Sequence, residues 1–539
     1  MLLSLRKRSP IACLALAALF VGGADSGAEN VSSSELQPTQ QINHFINQGW
    51  TQDGIEPAEG CSDRTFVRRV YLDLAGRVPT NTEVDTFLAD EGDDKRQSLV
   101  DLLLHSEDYV QHFADVFDAL LMGRADENKY AQRSKHHWRS YLENIFRLNR
   151  PWNDVAQEIL LARPDDPSQR GADWFLYERN NQHQAIAEAV APAVFGIRIE
   201  CAQCHDHMIA DEIEQAHYWG LVAFFNRSKN VNTKNGPRVS ESAIGGFSEF
   251  ANLSGESSPN VLTFFRAAEI DEPRPGKEEQ QDADDLYVPA RVEGDPRVPK
   301  FSRRQKFVDQ IVNDHPLVAR ALVNRVWAML MGRGIVHPFD EMDSVHDPSH
   351  PELLDWLSDD FAEHGFDVRR LARSVVLSDA YQLESIRPLG VDDPATFAWY
   401  LERPLTAEQL ARSMQLVVRG SFQNDDALVR AFRQQFLDVL PDENRVTIND
   451  ALFLSNGSEF DNFLKSSNDE DHLIPRLLQF SSAKRQATLL ITTALGREPA
   501  QDEVQAMAEY LEKRSGERQN ALRQVVWALL TSAEFRFNH

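Results

Sequence analysis

Apolar residues recur along this chain with the spacing of a helix face. In the stretch 183–199, Ile186, Val190, Val194 and Ile197 fall four, four and three residues apart, which lines one side of a helix leading to Cys201. Leu353, Leu354, Leu357 and Phe361 repeat the pattern in "PSHPELLDWLSDDFAEHGFD", where Ser349 and Glu352 read as an S-x-x-E capping box and Gly365 as the stop. Leu322, Val326 and Leu330 form a third stripe, ended by Gly332 and Gly334. Alternation with a period of two is sparse. The pattern predicts a mainly α, multi-helical protein.

The pattern lapses over 227–300, where stretches such as "NGPRVSESAIGGFSEFANLSGESSP" are rich in Gly, Pro, Ser and acid. This predicts an irregular, partly β connection between two helical regions, 40–226 and 301–539. Its run "EIDEPRPGKEEQQDADD" reads as solvated surface and as the first place a protease should cut. An internal echo links the two ends of the chain. "GRVPTNTEV" begins at Gly76 and "GREPAQDEV" at Gly496, and each leads to a similar tail, "LLHSEDY" ending at Tyr109 and "LLTSAEF" at Phe535. A third tail, "VVLSDAY", ends at Tyr381 without that head. Pro at a helix start and Ser near a helix end suit repeated helical hairpins.

Composition narrows the partners. With 83 acidic against 56 basic residues the formal charge is −27, which repels nucleic acid and anionic membrane surfaces. The N-terminus carries Arg6, Lys7 and Arg8, then "IACLALAALFVGG", then small residues up to Ala28. That order predicts a signal peptide over 1–28, and so export to the periplasm or the extracellular space. No later run approaches the ~18 apolar residues of a membrane span. Cys13 would leave with the signal, so Cys61, Cys201 and Cys204 remain of the four cysteines. Three are too few for a disulfide framework, and a chain this long does not need one.

Two of them stand in "ECAQCHDHM", residues 200–208. Cys201, Cys204 and His205 form C-x-x-C-H, the spacing that takes two thioether bonds to haem vinyl groups and offers the next imidazole to iron. His217, Met329 and Met331 are candidates for a sixth ligand, and five-coordinate iron is equally allowed. Zinc is an alternative, held by Cys201, Cys204 and His205 or His207 with His217 or Cys61 as a distant fourth. A Cys201–Cys204 disulfide is another. His136, His137, Asn324, Arg325 and His350 read as structural. No Ser-His-Asp order, phosphate-cradling Gly loop or H-E-x-x-H stands out.

"FVRRVYLDLAGRVPTNTEVDTFLAD", "HHWRSYLENIFRLNRPWNDVAQEIL" and "FGIRIECAQCHDH" followed by "HYWGLVAFF" resemble the planctomycete cytochrome-c-related exported family, domain of unknown function 1549. The stretch from "RRQKFVDQIVNDHPLVARALVNRVWAMLMGRG" to "VVLSDAYQLES" resembles its usual companion, domain of unknown function 1553. Met208 stands where that family often has Pro. The resemblance implies a haem-related role at Cys201, Cys204 and His205, and an exported sulfatase-like protein as partner. Two classes of function follow. One is an exported c-type-haem-like protein for electron transfer or for oxidation of an extracytoplasmic substrate. The other is a non-enzymatic binding or assembly protein with structural zinc or a disulfide at the motif.

Overall fold

In the computed structural model, which describes residues 37–424, 426–436, 439–440, 447–465 and 472–539, helices carry most of the chain. The fold is mainly α, and the few short strands pair two by two. The stretch expected to be a signal peptide lies outside the described residues, apart from which no helix is long and apolar enough to cross a membrane.

The apolar stripes become the core. Ile186, Val190, Val194 and Ile197 are all buried, along a helix His183–Val190 that widens into a π turn, Ala191–Phe195. Leu322, Val326 and Leu330 lie in the helix Pro316–Met331, which packs against that π turn and against the helices Pro351–Glu363 and Val368–Val376. Its two buried polar residues, Asn324 and Arg325, serve structure, as expected. Asn324 donates to the carbonyls of Val336 and Phe339 and accepts from the Val336 N–H. Arg325 donates to the carbonyls of Pro192 and Ala193 at the end of the π turn.

The expected capping box at Ser349 does not form. His350 takes the N-cap position without a side-chain bond, and Ser349 Oγ donates instead to the Ile335 carbonyl at 3.2 Å. Pro351 is the reason: its fixed φ and missing N–H suit the first helical position, which moves the cap one residue past the serine.

The echo is geometric as well as textual. Arg77 forks onto Glu83 and reaches Asp108, while Arg497 forks onto Glu503 and reaches Glu534. Gly76 and Gly496 both end a helical segment in the left-handed region, at φ 67° and 70°. In all three tails the serine hydroxyl donates back to a carbonyl three residues earlier, Ser106 to Leu103, Ser378 to Val375 and Ser532 to Leu529. Each hydroxyl also accepts the N–H three residues on, from Tyr109, Tyr381 and Phe535. At Ser106 and Ser532 one side chain thus closes one helix and opens the next, and at Ser378 it closes a helix into a turn.

The connection is partly β. A hairpin pairs Ser228–Thr233 with Gly236–Glu241, and shorter pairs join Glu249–Ala251 to Ser257–Pro259 and Tyr287–Val288 to Val298–Pro299. Leu262, Phe264 and Phe265 are buried, and Glu272 turns inward to pair with Arg227 and Arg303. Glu278, Glu279, Asp282, Asp284 and Asp285 stay exposed.

Residues Pro38–His539 form one compact unit. The main apolar cluster runs from Ile42 to Tyr400 and draws on both sides of the connection. A second cluster gathers residues from Leu405 to Phe535, together with Leu72 and Val78 from the first region. Polar ties follow the same seam: Gln409 donates to the Leu72 carbonyl, and the Val78 N–H donates to Ser413.

Candidate functional site

The C-x-x-C-H loop is launched from Gly196, where the π turn ends. Its φ is 65°, and a Cβ there would lie 2.9 Å from that of Ala321, so both backbone and packing call for glycine. Ile197 and Ile199 then anchor the chain in the core, and Glu200–Gln203 makes a single 3-10 turn. Ala202 points inward while Cys201 and Cys204 are exposed, unpaired thiols. The following helix, Gln215–Phe225, holds the loop by polar contacts. Trp219 Nε1 and Gln215 Nε2 both donate to the Gln203 carbonyl at 3.1 Å, and the Gln215 N–H donates to Asp206 at 2.8 Å.

The three nearby histidines differ in which nitrogen bears the proton. His205 Nδ1 lies 2.7 Å from the Asp206 carbonyl, which can only accept. The proton is therefore on Nδ1, and Nε2 keeps the lone pair. His207 is the reverse: its Nδ1 accepts the Ala210 N–H at 3.0 Å. His217 Nδ1 likewise accepts the Glu214 N–H at 3.0 Å, and burial pushes its pKa down. Met329 and Met331 are buried within their helix, and Cys61 is buried elsewhere, its carbonyl accepting from Arg96. Burial raises the Cys61 thiol pKa. Cys201, Cys204 and His205 do not themselves gather into a ligand group among the described residues, and neither Cys61 nor His217 joins them in one.

One segment of the second region, 340–344, holds the chain both before and after the motif. Arg198 pairs with Asp340 and Glu341, both at 2.8 Å, and the Met342 N–H donates to the Gly196 carbonyl. Beyond the motif, Glu212 accepts from Ser344. The same stretch of chain holds Glu341, Asp343 and His346, the one group of three metal-type side chains gathered among the described residues. The sequence reading missed it, although "DEMDSVHD" carried the alternating acids. His346 sets Nδ1 2.8 Å from Asp343 and Nε2 3.2 Å from Glu341. A different ring nitrogen faces each carboxylate, whereas a metal ligand turns one nitrogen to the ion.

A cleft of about 760 Å³ lies elsewhere, and Asp115, Asp118, Arg133, Arg139 and Arg433 line it. Asp115 pairs with Arg139, Arg412 and Arg433. Burial opposes its charge, but the three guanidiniums prevail and its pKa falls. At Asp118 burial prevails over Arg133 and the pKa rises. All carboxylate oxygens of this pair are already engaged by Arg or by Trp138.

Fold and site together define a mainly helical protein in which two regions of one chain jointly seat an exposed C-x-x-C-H loop. Residues 41–230 match the family model PSCyt2, described as a protein of unknown function (DUF1549), and residues 303–427 match PSD1, a protein of unknown function (DUF1553). The chain belongs to the proteins that carry this pair, in this order. No curated protein and no solved structure matches it.

Proposed function

We propose that this is an exported c-type-haem-like redox protein, acting in electron transfer or in oxidation of an extracytoplasmic substrate. The observation that carries the reading is His205. Its Nδ1–H is committed to the Asp206 carbonyl, so the ring is oriented and Nε2 is the atom that would meet iron, beside two exposed thiols. Each thiol can add its S–H across a vinyl group, with no other atom lost or gained. Met208 and Ile209, 77% and 63% exposed, offer apolar surface for a macrocycle to cover. Haem held there supplies a one-electron couple. The chain's own part is to fix the group at two edges, orient the imidazole and hold the loop through Gln203.

The test is protein made with haem-attachment machinery. Intact mass should rise by one haem, with a reduced-minus-oxidised spectrum, and both should be lost in Cys201→Ser/Cys204→Ser. Loss of the iron ligand in His205→Gln should leave the mass and change the spectrum.

A second reading is a binding or assembly protein with zinc or a disulfide at the motif. The contacts of Arg198 and Glu212 favour it, because they set the loop between the two regions, where a crosslink would stiffen the assembly. Mass without haem, together with stoichiometric zinc or a two-hydrogen loss abolished by Cys204→Ser, would replace the first reading with this one.

A further inference from the structure

The motif loop also borders a groove that neither reading uses. A cleft of about 560 Å³ lies between the helices His183–Val190 and Gln215–Phe225, and Gln182, Gln184, Gln203, Trp219 and Asn226 are in its lining. A second cleft, about 330 Å³, extends past Lys229 to Gly246. Asn181, His183 and Asn226 line both, so the two clefts adjoin.

Its lining is dominated by neutral amides, and its one carboxylate, Glu188, already accepts from the Tyr218 hydroxyl. Asn181, Gln182, Gln184, Gln203 and Asn226 each bring a donor and an acceptor, and Ser248 adds a hydroxyl. Several groups are already oriented. Asn226 Nδ2 donates to Ser248 Oγ at 3.1 Å, and Asn181 Oδ1 accepts the Asn230 N–H at 2.6 Å, which turns the Asn181 NH2 into its remaining function. His183 Nε2 donates to the Ser228 carbonyl at 2.9 Å, so Nδ1 is an acceptor. Trp219 is half-buried and fixed by its bond to the Gln203 carbonyl.

These features select a ligand class. A polyanion meets a chain of charge −27 and only Arg227 and Lys229 as cations in the lining. An apolar ligand would leave the amides unsatisfied. A polyhydroxylated neutral ligand pairs its hydroxyls with the amides and packs its C–H face on the indole. We infer that this groove binds a neutral glycan, with a sugar ring on Trp219 and hydroxyls on Gln184, Gln203 and Asn226. The site borders Cys204 through Gln203, but binding does not depend on the haem reading.

The experiment is titration of the full chain with laminarihexaose, cellohexaose and xylohexaose, read by calorimetry and indole fluorescence, with dextran sulfate as the polyanion. At least one neutral hexasaccharide should bind saturably. Trp219→Ala and Gln184→Ala should each weaken it about tenfold, and Cys201→Ser/Cys204→Ser should leave it unchanged. Circular dichroism melts identify a variant that fails to fold, and Gln184→Ala, at a half-buried helix position outside the apolar core, then decides alone. No saturable binding of any of the three, preference for dextran sulfate, or unchanged affinity in folded Gln184→Ala would each overturn the inference.

Discussion

The carboxylate of Glu212 accepts the backbone N–H of Ser344 at 2.6 Å and its hydroxyl at 2.7 Å. It thereby fastens the segment after the motif to the second region, as Arg198 does for the segment before it. Glu212→Ala removes both bonds and should cost about 1–2 kcal/mol. Hydrogen exchange should quicken across 197–213 while remaining unchanged in the helix Glu107–Met122. Unaltered protection at 197–213 would show that the loop is held without this clasp.

Asp115 is the hub of a buried ion network that joins the helix Glu107–Met122 to Ala407–Arg419 and Ala427–Gln435. Asp115→Asn leaves Arg139, Arg412 and Arg433 short of a counter-charge and should cost about 3–5 kcal/mol, read as a lower urea midpoint. A midpoint within error of the parent would refute the hub.

His112 lies against Gly76, where an added Cβ would come within 2.6 Å of its ring. Burial first, and then the charge of Arg412, push its pKa from 6.5 down to about 4. Between those values the unfolded chain binds the extra proton. Stability present above pH 6.5 should therefore fall as the pH drops towards about 4, by on the order of 3 kcal/mol for this group. Urea midpoints at neutral and mildly acidic pH should differ less in His112→Gln than in the parent. Parallel losses in both would remove His112 as the cause.

Limited proteolysis should cut first within 278–285, where Glu278, Glu279, Asp282, Asp284 and Asp285 are exposed. The nicked chain should still elute as one particle, because the main apolar cluster spans both sides of the cut. Two separate peaks in native size exclusion would contradict that.

What could be read in advance was local. The Ser106, Ser378 and Ser532 turns and the Arg77 and Arg497 forks join residues a few positions apart, or one short hairpin apart, so a repeated string carries a repeated geometry. The stripe to Cys201 was legible for the same reason. The cap at Ser349 misled because Pro351 outweighs a serine two residues earlier. Arg198 with Asp340, Glu212 with Ser344 and Asp115 with Arg412 join residues more than 100 positions apart, and nothing in either partner's neighbourhood announces the other. The motif shows an intermediate case. Its spacing was plain, but the proton on His205 depends on which way the Asp206 carbonyl turns, and only the folded loop decides that.

The shared core has a consequence for how the chain can be encoded. Neither matched segment can cover its own apolar face, since each is the other's missing wall. The first segment made alone should expose that face and self-associate. If the reading frame were divided within the connection, soluble protein should accumulate only in cells that make both pieces at once, with the halves finding each other as separate chains.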